Sequence, residues 1–283
     1  MTADEILNKI ADLPPAPIAA SKLLSLLKNP TVDSIDEVVE TLEYDPALTA
    51  RLLRACNSAF MAGHASVDSV DQAVLRLGYY EILRVVLALT VGGVLSKGLP
   101  GYGVDSYELW SHSITAALAS QKLMETSRGL DATPSVAFTA GLLHDIGKVV
   151  LNHLTLPEVE NIRVMIHTNG ASLLEAETAV LGVNHAEIGA CLLKRWKLSG
   201  AIVEAVARHH TPPVDKGPQL AGVVHLANGC AHFVGSSYGW ESFAIRIRPE
   251  IMETLNLKPE DIERTMIFIH SESNRIKQFM SIV

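Results

Sequence analysis

Apolar residues recur every three or four positions along most of the chain, which is the period that gathers side chains on one face of an α-helix. Three residue pairs have the spacing of a capping box at a helix start: Ser34 with Glu37, Ser69 with Gln72, and Ser172 with Glu175. Three glycines follow apolar runs and read as helix stops: Gly78, Gly129 and Gly182. No stretch alternates apolar and polar residues long enough to predict a strand. We therefore predict an all-α fold of about a dozen helices of ordinary length.

Glycine and proline interrupt the helical pattern at two places, which we interpret as boundaries. Residues 97–103 read KGLPGYG, and a weaker interruption lies near residues 235–239. We therefore divide the chain into an N-terminal helical subdomain (1–100), a helical core (101–235) and a C-terminal helical segment (236–283). The sequence shows no internal repeat and no phosphate-cradling glycine loop.

Composition narrows the classes of function. The formal net charge is −8 and no cluster of Lys and Arg interrupts it, so we expect no nucleic-acid partner, because binding through phosphates requires a basic face. The most apolar stretch, residues 85–95, is about half as long as a membrane-spanning helix, and the N-terminus lacks the pattern of a signal peptide. The three cysteines lie far apart, which fits a reducing compartment. We expect a cytoplasmic protein with no membrane partner.

The strongest chemical signal is the pair His144–Asp145. It lies within residues 136–151, which are apolar nearly all round and predict one buried helix. An ionised aspartate inside such a helix costs on the order of several kcal/mol unless it is paired or coordinated. A metal ion held by imidazole and carboxylate removes this cost. A buried cation such as Lys148 could also remove it.

Other side chains can converge on this pair. Glu108 and His112 are four residues apart and share a helix face, so they could hold one ion together. His185 begins one inward apolar stripe, and His209 ends another. Because His210 projects about 100° further round the helix than its neighbour, the two histidines would suit two neighbouring ions better than one.

The ordinary explanation of a buried histidine is a hydrogen-bonded core residue. We keep that explanation for six of the eleven histidines: His64, His153, His167, His225, His232 and His270. For the other five histidines and the two acids, Asp145 and Glu108, seven separate packing explanations would be needed. Together these seven residues therefore predict a metal site. Imidazole and carboxylate without thiolate favour iron, manganese or zinc.

Residues 141–148 read GLLHDIGK, and together with His112 upstream and His209–His210 downstream they resemble the HD superfamily of metal-dependent phosphohydrolases. Further segments between residues 10 and 235 occur in the order of the HDOD domain and narrow the resemblance to that family. These segments are LPPAP (13–17), YDPAL (44–48), LLRACNSA (52–59), AVLRLG (73–78) and the stretch from Asn184–His185 to His209–His210.

The resemblance implies an HD-domain-like multi-helix bundle that serves in bacterial signal transduction with signalling proteins acting in trans. By resemblance to the HD-GYP phosphodiesterases, seven residues fall on metal-ligand positions: Glu108, His112, His144, Asp145, His185, His209 and His210. Where the family has its last aspartate this chain has Asn228, a neutral amide that should hold a shared ion more weakly. The GYP segment is absent, since Thr211–Pro213 follows the histidine pair, so we do not expect cyclic-di-GMP hydrolysis.

Three functions stay open, in this order of preference. The first is a signalling module without efficient catalysis, whose pocket binds one or two divalent metal ions, with iron favoured, and a small phosphate or nucleotide. The second is a metal-dependent phosphohydrolase in which Asp145 bridges the ions and Lys148 faces the phosphate. The third is a metal-free interaction scaffold in which Asp145 finds a protein partner such as Lys148. A ligand set specifies binding and not turnover, so the sequence leaves open whether the chain is an enzyme.

Overall fold

Helices make up nearly all of the chain that the structure describes. The computed structural model describes residues 2–9, 42, 46–58, 67–152, 156–215, 219–236, 239 and 246–281. These ranges contain fifteen α-helices, a short 3-10 helix at Pro100–Tyr102 and no strand; an isolated bridge pairs Leu99 with Val104. The predicted all-α class is confirmed, with more helices than the dozen expected.

Two N-terminal helices pack on one apolar helix. The helices that the structure describes in this part are α1 (Ala3–Lys9), α2 (Pro46–Cys56), α3 (Val70–Leu77) and α4 (Tyr79–Leu95). The buried residues of α4 are all apolar or glycine, and the helix packs against both α2 and α3. Gly78 separates α3 from α4 with a φ of +79°, a conformation that glycine adopts without a steric penalty, so the chain turns sharply between the two helices.

A long buried helix organises the rest of the chain. The remaining helices are α5 (Glu108–Thr126), α6 (Pro134–Leu143), α7 (Ile146–Leu151), α8 (Leu156–Asn169), α9 (Leu173–Leu181), α10 (His185–Arg195), α11 (Gly200–Arg208), α12 (Leu220–Phe233), α13 (Glu250–Thr254), α14 (Pro259–Ser271) and α15 (Ser273–Met280). Helix α5 is the centre of the bundle, because α4, α6, α12, α14 and α15 all pack on it.

The capping signals place helix starts where the sequence predicts them. The Ser172 side chain accepts from the backbone N–H of Glu175, whose carboxylate in turn accepts from the backbone N–H of Ser172. Ser69 likewise caps α3, and Gly182 ends α9 in a left-handed conformation. The Ser34/Glu37 pair lies outside the described residues.

One helix prediction is wrong. The sequence predicts a single buried helix over residues 136–151, but α6 ends at Leu143 and α7 begins at Ile146. Asp145 lies between them with φ −102° and ψ 10°, the sparsely populated bridge region in which many active-site residues are found. The break lets His144 and Asp145 direct their side chains to the same point, which a continuous helix would not allow because adjacent residues project about 100° apart.

A close backbone contact brings α10 against this break. A Cβ atom placed on Gly147 of α7 would lie 1.9 Å from the carbonyl oxygen of His185 and 2.7 Å from the backbone nitrogen of Gly189. Only glycine permits such an approach, since real side chains never come this close to backbone atoms. The contact places the first residue of α10 beside Asp145.

The glycine- and proline-rich residues 97–103 form a compact turn rather than an open linker. The backbones of Leu99 and Val104 exchange hydrogen bonds of 2.8 and 3.1 Å, and the side chain of Tyr102 is buried. The division of the chain into 1–100, 101–235 and 236–283 stays a prediction. In the parts of the chain that the structure describes, we find no helix with the length and apolar character needed to cross a membrane.

Candidate metal centre

Five histidines and one aspartate reach one buried region from four parts of the fold. His112 comes from the middle of α5, and His144–Asp145 comes from the break between α6 and α7. His185 is the first residue of α10, and His209–His210 directly follows α11. All of these side chains are buried except that of His210, which is half-buried.

Asp145 joins the histidines into two groups that share its carboxylate. We call them the His185 group (Asp145, His185, His209 and His210) and the His112 group (His112, His144 and Asp145); within each, the candidate ligand atoms lie within 4.8 Å of one another. Oδ1 of Asp145 lies 3.3 Å from Nε2 of His185 and 3.7 Å from Nε2 of His209. Oδ2 lies 3.1 Å from Nε2 of His144 and 3.9 Å from Nε2 of His112.

The second ring nitrogen of four of these histidines is held by a hydrogen bond. Three donate from Nδ1 to a backbone carbonyl oxygen at 2.7 Å: His112 to Ser236, His144 to Gly141, and His209 to Val206. Nδ1 of His185 instead lies 2.7 Å from Oε2 of Glu177. A proton on Nδ1 leaves the Nε2 lone pair directed into the pocket, which is how metal-binding imidazoles are oriented.

Nε2 of His185 and Nε2 of His210 lie 2.9 Å apart, within hydrogen-bonding distance, but the inward nitrogens of His112 and His144 cannot satisfy one another. Nε2 of His112 and Nε2 of His144 are 3.3 Å apart, and with both Nδ1 atoms donating to carbonyls, two acceptors face each other when the rings are neutral. Nε2 of His209 is buried and has no hydrogen-bond partner among the described residues. A bound cation would satisfy these lone pairs, so the buried His/Asp cluster could hold a metal ion, and its donors suit iron, manganese or zinc.

The protonation states of three of the histidines favour metal binding. Burial lowers the pKa of these three well below the usual 6.5, and neighbouring imidazoles lower the pKa further: they are His112, His209 and His210. For His185, burial also lowers the pKa, but the carboxylates of Glu177 and Asp145 outweigh it, and the net shift is upward. Neutral imidazole is the form that binds a metal ion.

The aspartate is held in its charged form. Burial raises the pKa of Asp145, but His144 and the ammonium of Lys148 outweigh it and hold the pKa well below its usual 3.8. Nζ of Lys148 lies 3.0 Å from Oδ2 of Asp145, and neither side chain is exposed to solvent. This is the protein partner that the metal-free alternative predicts for Asp145. The ion pair does not satisfy the inward lone pairs of the histidines.

The structure does not bring Glu108 into either group. Glu108 is the first residue of α5, and its Oε2 accepts a hydrogen bond of 2.7 Å from the backbone N–H of Asp105. Glu108 therefore lies outside both groups, and the prediction that Glu108 and His112 hold one ion together stays a prediction. The carboxylate satisfies the turn before the helix, although four-residue spacing does place the two residues on one helix face.

The histidine pair directly follows α11, and His209 keeps a right-handed helical backbone (φ −64°, ψ −22°). The two ring centroids lie 4.1 Å apart, and both rings belong to the His185 group. The number of ions that the pair serves stays a prediction.

Asn228 lies on the inward face of α12 and is buried. Its Oδ1 has no hydrogen-bond partner among the described residues, and the side chain lines the same cleft as His210. The roles of Asn228 and of the histidines as metal ligands stay a prediction.

The sequence interpretation missed Glu177, which is fully buried on α9. Its Oε2 accepts from the backbone N–H of His185 at 2.8 Å and faces the ring of the same residue, while Oε1 accepts from the hydroxyl of Tyr102 at 2.7 Å. A signal was present, because Glu177 lies between Leu173 and Leu181 at four-residue spacing on an apolar helix face. An acid on such a stripe requires a buried partner.

Two histidines assigned to ordinary packing border the site. His225 is a hydrogen-bonded core residue as expected: its Nδ1 donates to the carbonyl oxygen of His209, and its Nε2 accepts from the backbone N–H of Arg248. His232 packs on His112 with ring centroids 4.5 Å apart, and burial lowers its pKa to about 3. His167 and His270 are exposed, and His64 and His153 lie outside the described residues.

A cleft of about 190 Å³ leads from the surface to the His185 group. His210 and Asn228 line it on the side of the metal-binding candidates, together with Ser172 and Thr211. Arg246 lies at its exposed side and pairs with Glu175 at 3.0 Å. The cleft therefore has the Asn228 amide and the Thr211 hydroxyl among its lining groups, whereas the Ser172 hydroxyl and the Arg246 guanidinium both contact the carboxylate of Glu175.

The fold and the pocket define a class, the all-helical HD-like proteins with a buried histidine–aspartate cluster. Within this class the profile of the HDOD domain matches residues 13–212, which is well over half of the sequence. The chain therefore belongs to the HDOD domain family.

Several individual proteins are similar to this chain. A crystal structure of an HDOD domain protein of unknown function from Geobacter sulfurreducens is 24% identical, with a TM-score of 0.78 over 99% of this chain and 96% of that one. A crystal structure of a candidate phosphohydrolase from Shewanella amazonensis SB2B is 28% identical. Its TM-score is 0.73, over 98% of this chain and 97% of that one. An uncharacterized protein of Treponema pallidum (strain Nichols) is 25% identical over 84% of this chain. The matched region covers 46% of the length of that relative.

Proposed function

We propose that this protein is a regulatory protein of signal transduction whose buried pocket binds one or two divalent metal ions and does not catalyse efficiently. The observation that carries the proposal is the convergence of the inward imidazole nitrogens on both oxygens of Asp145. Asn228 supports weak catalysis, because a neutral amide at the cleft adds no negative charge to stabilise a second ion.

Metal content is the decisive measurement. Protein purified without a metal-affinity tag or chelator is analysed by elemental mass spectrometry, with Asp145→Ala prepared in parallel. We expect about one or two ions of iron, manganese or zinc per chain, with iron favoured, and a loss of metal in the variant. Protein that stays metal-free after reconstitution would overturn the proposal and leave the metal-free scaffold, in which protein groups such as Lys148 compensate Asp145.

A small phosphate-bearing ligand fits the cleft beside the His185 group. Thr211 brings a hydroxyl group to the wall, and Arg246 brings a planar guanidinium that a phosphate would share with Glu175. We propose that such a ligand, inorganic phosphate or a nucleotide, binds there and that signalling proteins in trans read the bound state. Calorimetric titration of metal-loaded protein with each ligand, alongside Arg246→Ala, tests this step.

A metal-dependent phosphohydrolase is the second candidate. It is favoured by the open cleft at His210 and by the Shewanella relative, a candidate phosphohydrolase. Bound metal would lower the pKa of a coordinated water and polarise a phosphoryl oxygen, with Asp145 holding the ions. Lys148 is not among the residues that line the cleft, and its described contact is Asp145, so its expected place at the phosphate has less support than its pairing role.

Turnover separates the two candidates. Metal-loaded wild-type protein is assayed with a phosphomonoester and a phosphodiester that release nitrophenol. The enzyme hypothesis requires hydrolysis that Asp145→Ala abolishes. Equal rates in the two proteins would point to a contaminant, and no hydrolysis by fully loaded protein supports the regulatory proposal.

A further inference from the structure

We propose that the pocket has one strong cation position, at the His185 group, and that Glu177 is the positioning residue that makes it stronger than the His112 group. The inference rests on the proposed metal binding and names which half of the pocket an ion occupies first. Three independent features of the two groups support it.

The first feature is the number of donors. The His185 group offers three imidazoles and Oδ1 of Asp145, whereas the His112 group offers two imidazoles and Oδ2. Four donors complete the tetrahedral coordination that imidazole-rich sites commonly use, and three donors do not. Glu108, which would have completed the His112 group, is engaged by the backbone of Asp105.

The second feature is the charge behind the imidazoles. The Nδ1 atoms of His112, His144 and His209 face neutral backbone carbonyls, but that of His185 faces a carboxylate. A carboxylate on the outer nitrogen fixes the ring orientation and makes the inner nitrogen a stronger donor. Since Glu177 is fully buried, its negative charge is poorly screened and favours a cation on the other side of the ring.

Glu177 is itself held in place by two different elements. Oε2 accepts from the backbone N–H of His185, and Oε1 accepts from the hydroxyl of Tyr102 in the turn that follows α4. The carboxylate is thus fixed at both oxygens before any ion binds, so little ordering is required on binding. Tyr102 links the turn at residues 97–103 to the strong position.

The third feature opposes binding at the His112 group. Nζ of Lys148 contacts Oδ2 of Asp145 at 3.0 Å, and Oδ2 is the oxygen that an ion in the His112 group would use. A cation arriving there must compete with the ammonium for the same lone pairs. Oδ1 has His185 and His209 as its described neighbours, which are donors to a metal ion.

The test is a titration of metal-free full-length protein with Co²⁺, followed by calorimetry and by the visible absorption bands that report Co²⁺ coordination. We expect two steps, with the first ion bound at least about 10-fold more tightly than the second. His185→Ala should abolish the tight step. His112→Ala should remove the weak step and leave the tight one with its absorption spectrum unchanged.

Glu177→Gln tests the charge specifically, because the amide is isosteric and can keep a hydrogen bond to His185 and to Tyr102. We expect a loss of about 10- to 100-fold in the tight step and little change in the weak one. Tyr102→Phe keeps the charge and removes one hydrogen bond, so its loss should stay below about 5-fold. Glu204→Gln, which removes an exposed carboxylate on α11, is the charge-matched control.

The outcomes separate this inference from the proposed function. Absence of Co²⁺ binding in the wild-type protein would overturn the proposed function and the inference together. Two ions bound with equal affinity, or a tight step lost in His112→Ala and kept in His185→Ala, would overturn the inference alone. The inference would also be overturned if Glu177→Gln and Glu204→Gln bound the first Co²⁺ ion with equal affinity. Should Glu177→Gln not fold, the wild-type titration and the two histidine variants still decide.

Discussion

Two parts of the interior are buried equally and built in opposite ways. Along α4 the buried residues are apolar or glycine, and helix packing alone satisfies them. Where α6, α7 and α10 meet, the buried residues include His144, Asp145, Lys148 and His185. The buried residues of α4, which we call the apolar wall, are stabilised by exclusion of water. The buried polar residues where α6, α7 and α10 meet, which we call the junction, are stable only if each charge and lone pair has a partner. The stability of the junction therefore depends on pH and on metal, whereas that of the apolar wall does not.

The largest effect is expected from Gly147→Ala at the junction. The new Cβ would overlap the carbonyl oxygen of His185, so α7 and α10 must separate, at a cost of more than about 4 kcal/mol of unfolding free energy. Gly93→Ala in α4 is the matched control, because its Cβ meets nothing within 4 Å. We expect that control to be neutral or stabilised by up to about 1 kcal/mol. Thermal unfolding of both variants measures the difference; equal midpoints would contradict the close contact.

The next effect is expected from Leu89→Ala in the apolar wall. Leu89 is fully buried, and removal of its side chain should lower the unfolding free energy by about 2–5 kcal/mol. Because α4 contributes no side chain to the two groups, the Co²⁺ affinity of the folded variant should equal that of the wild type. Denaturant unfolding and Co²⁺ titration measure the two quantities. A large loss of affinity would show that the two regions are not independent.

Removal of metal should affect the junction by an intermediate amount. A ligand at 100 times its dissociation constant stabilises the folded state by about 2.7 kcal/mol, so a chelator should lower the melting temperature of wild-type protein. Asp145→Asn, which lacks the bridging charge, should melt at the same temperature with and without chelator. The prediction fails if wild-type protein purified with bound metal shows no chelator effect.

The smallest expected effect is the change in unfolding free energy that each titrating histidine causes when the pH of metal-free protein is varied. Burial lowers the pKa of His112, His209 and His210, so below the unfolded value near 6.5 the unfolded chain takes up protons that the folded chain does not. Stability should therefore be retained above about pH 6.5 and fall below it, by up to about 1.4 kcal/mol per pH unit for each histidine.

His185 should contribute in the opposite direction. Its pKa is raised, so its contribution is present below the unfolded value and is lost as pH rises through the folded value. Urea unfolding of chelator-treated protein between about pH 7.5 and about pH 5.5 measures the sum, in which the histidines with a lowered pKa, His225 and His232 included, should dominate. Stability that rises on acidification over this range would contradict the prediction.

Much of the fold could be predicted from the sequence, because helical periodicity and capping are local signals. Ser172 with Glu175 and the stop at Gly182 depend only on neighbouring residues, and the structure places them as predicted. The break at His144–Asp145 could not be predicted in this way. It lies beside the approach of α10 to Gly147, a contact between parts of the chain that are distant in sequence.

The candidate site likewise has a part that could be predicted from the sequence and a part that depends on contacts distant in sequence. The unusual chemistry of buried histidines and the family resemblance singled out the side chains that the structure brings together. Spacing arguments did not give the grouping of residues at helix ends: Glu108, at the first position of α5, lies outside both groups, and the pair His209–His210, just after α11, lies in one of them. Glu177 was missed because its partners, His185 and Tyr102, come from other elements.

The backbone carbonyls that hold His112, His144 and His209 have a consequence for how the pocket tolerates genetic change. A codon substitution can replace a side chain, but it cannot delete the carbonyl of Ser236, Gly141 or Val206 while the helices stay in place. Among the four imidazoles whose outer hydrogen bond is described, His185 alone depends on a mutable side chain. Inherited variation can therefore tune this pocket most readily through Glu177, without a change to any candidate ligand.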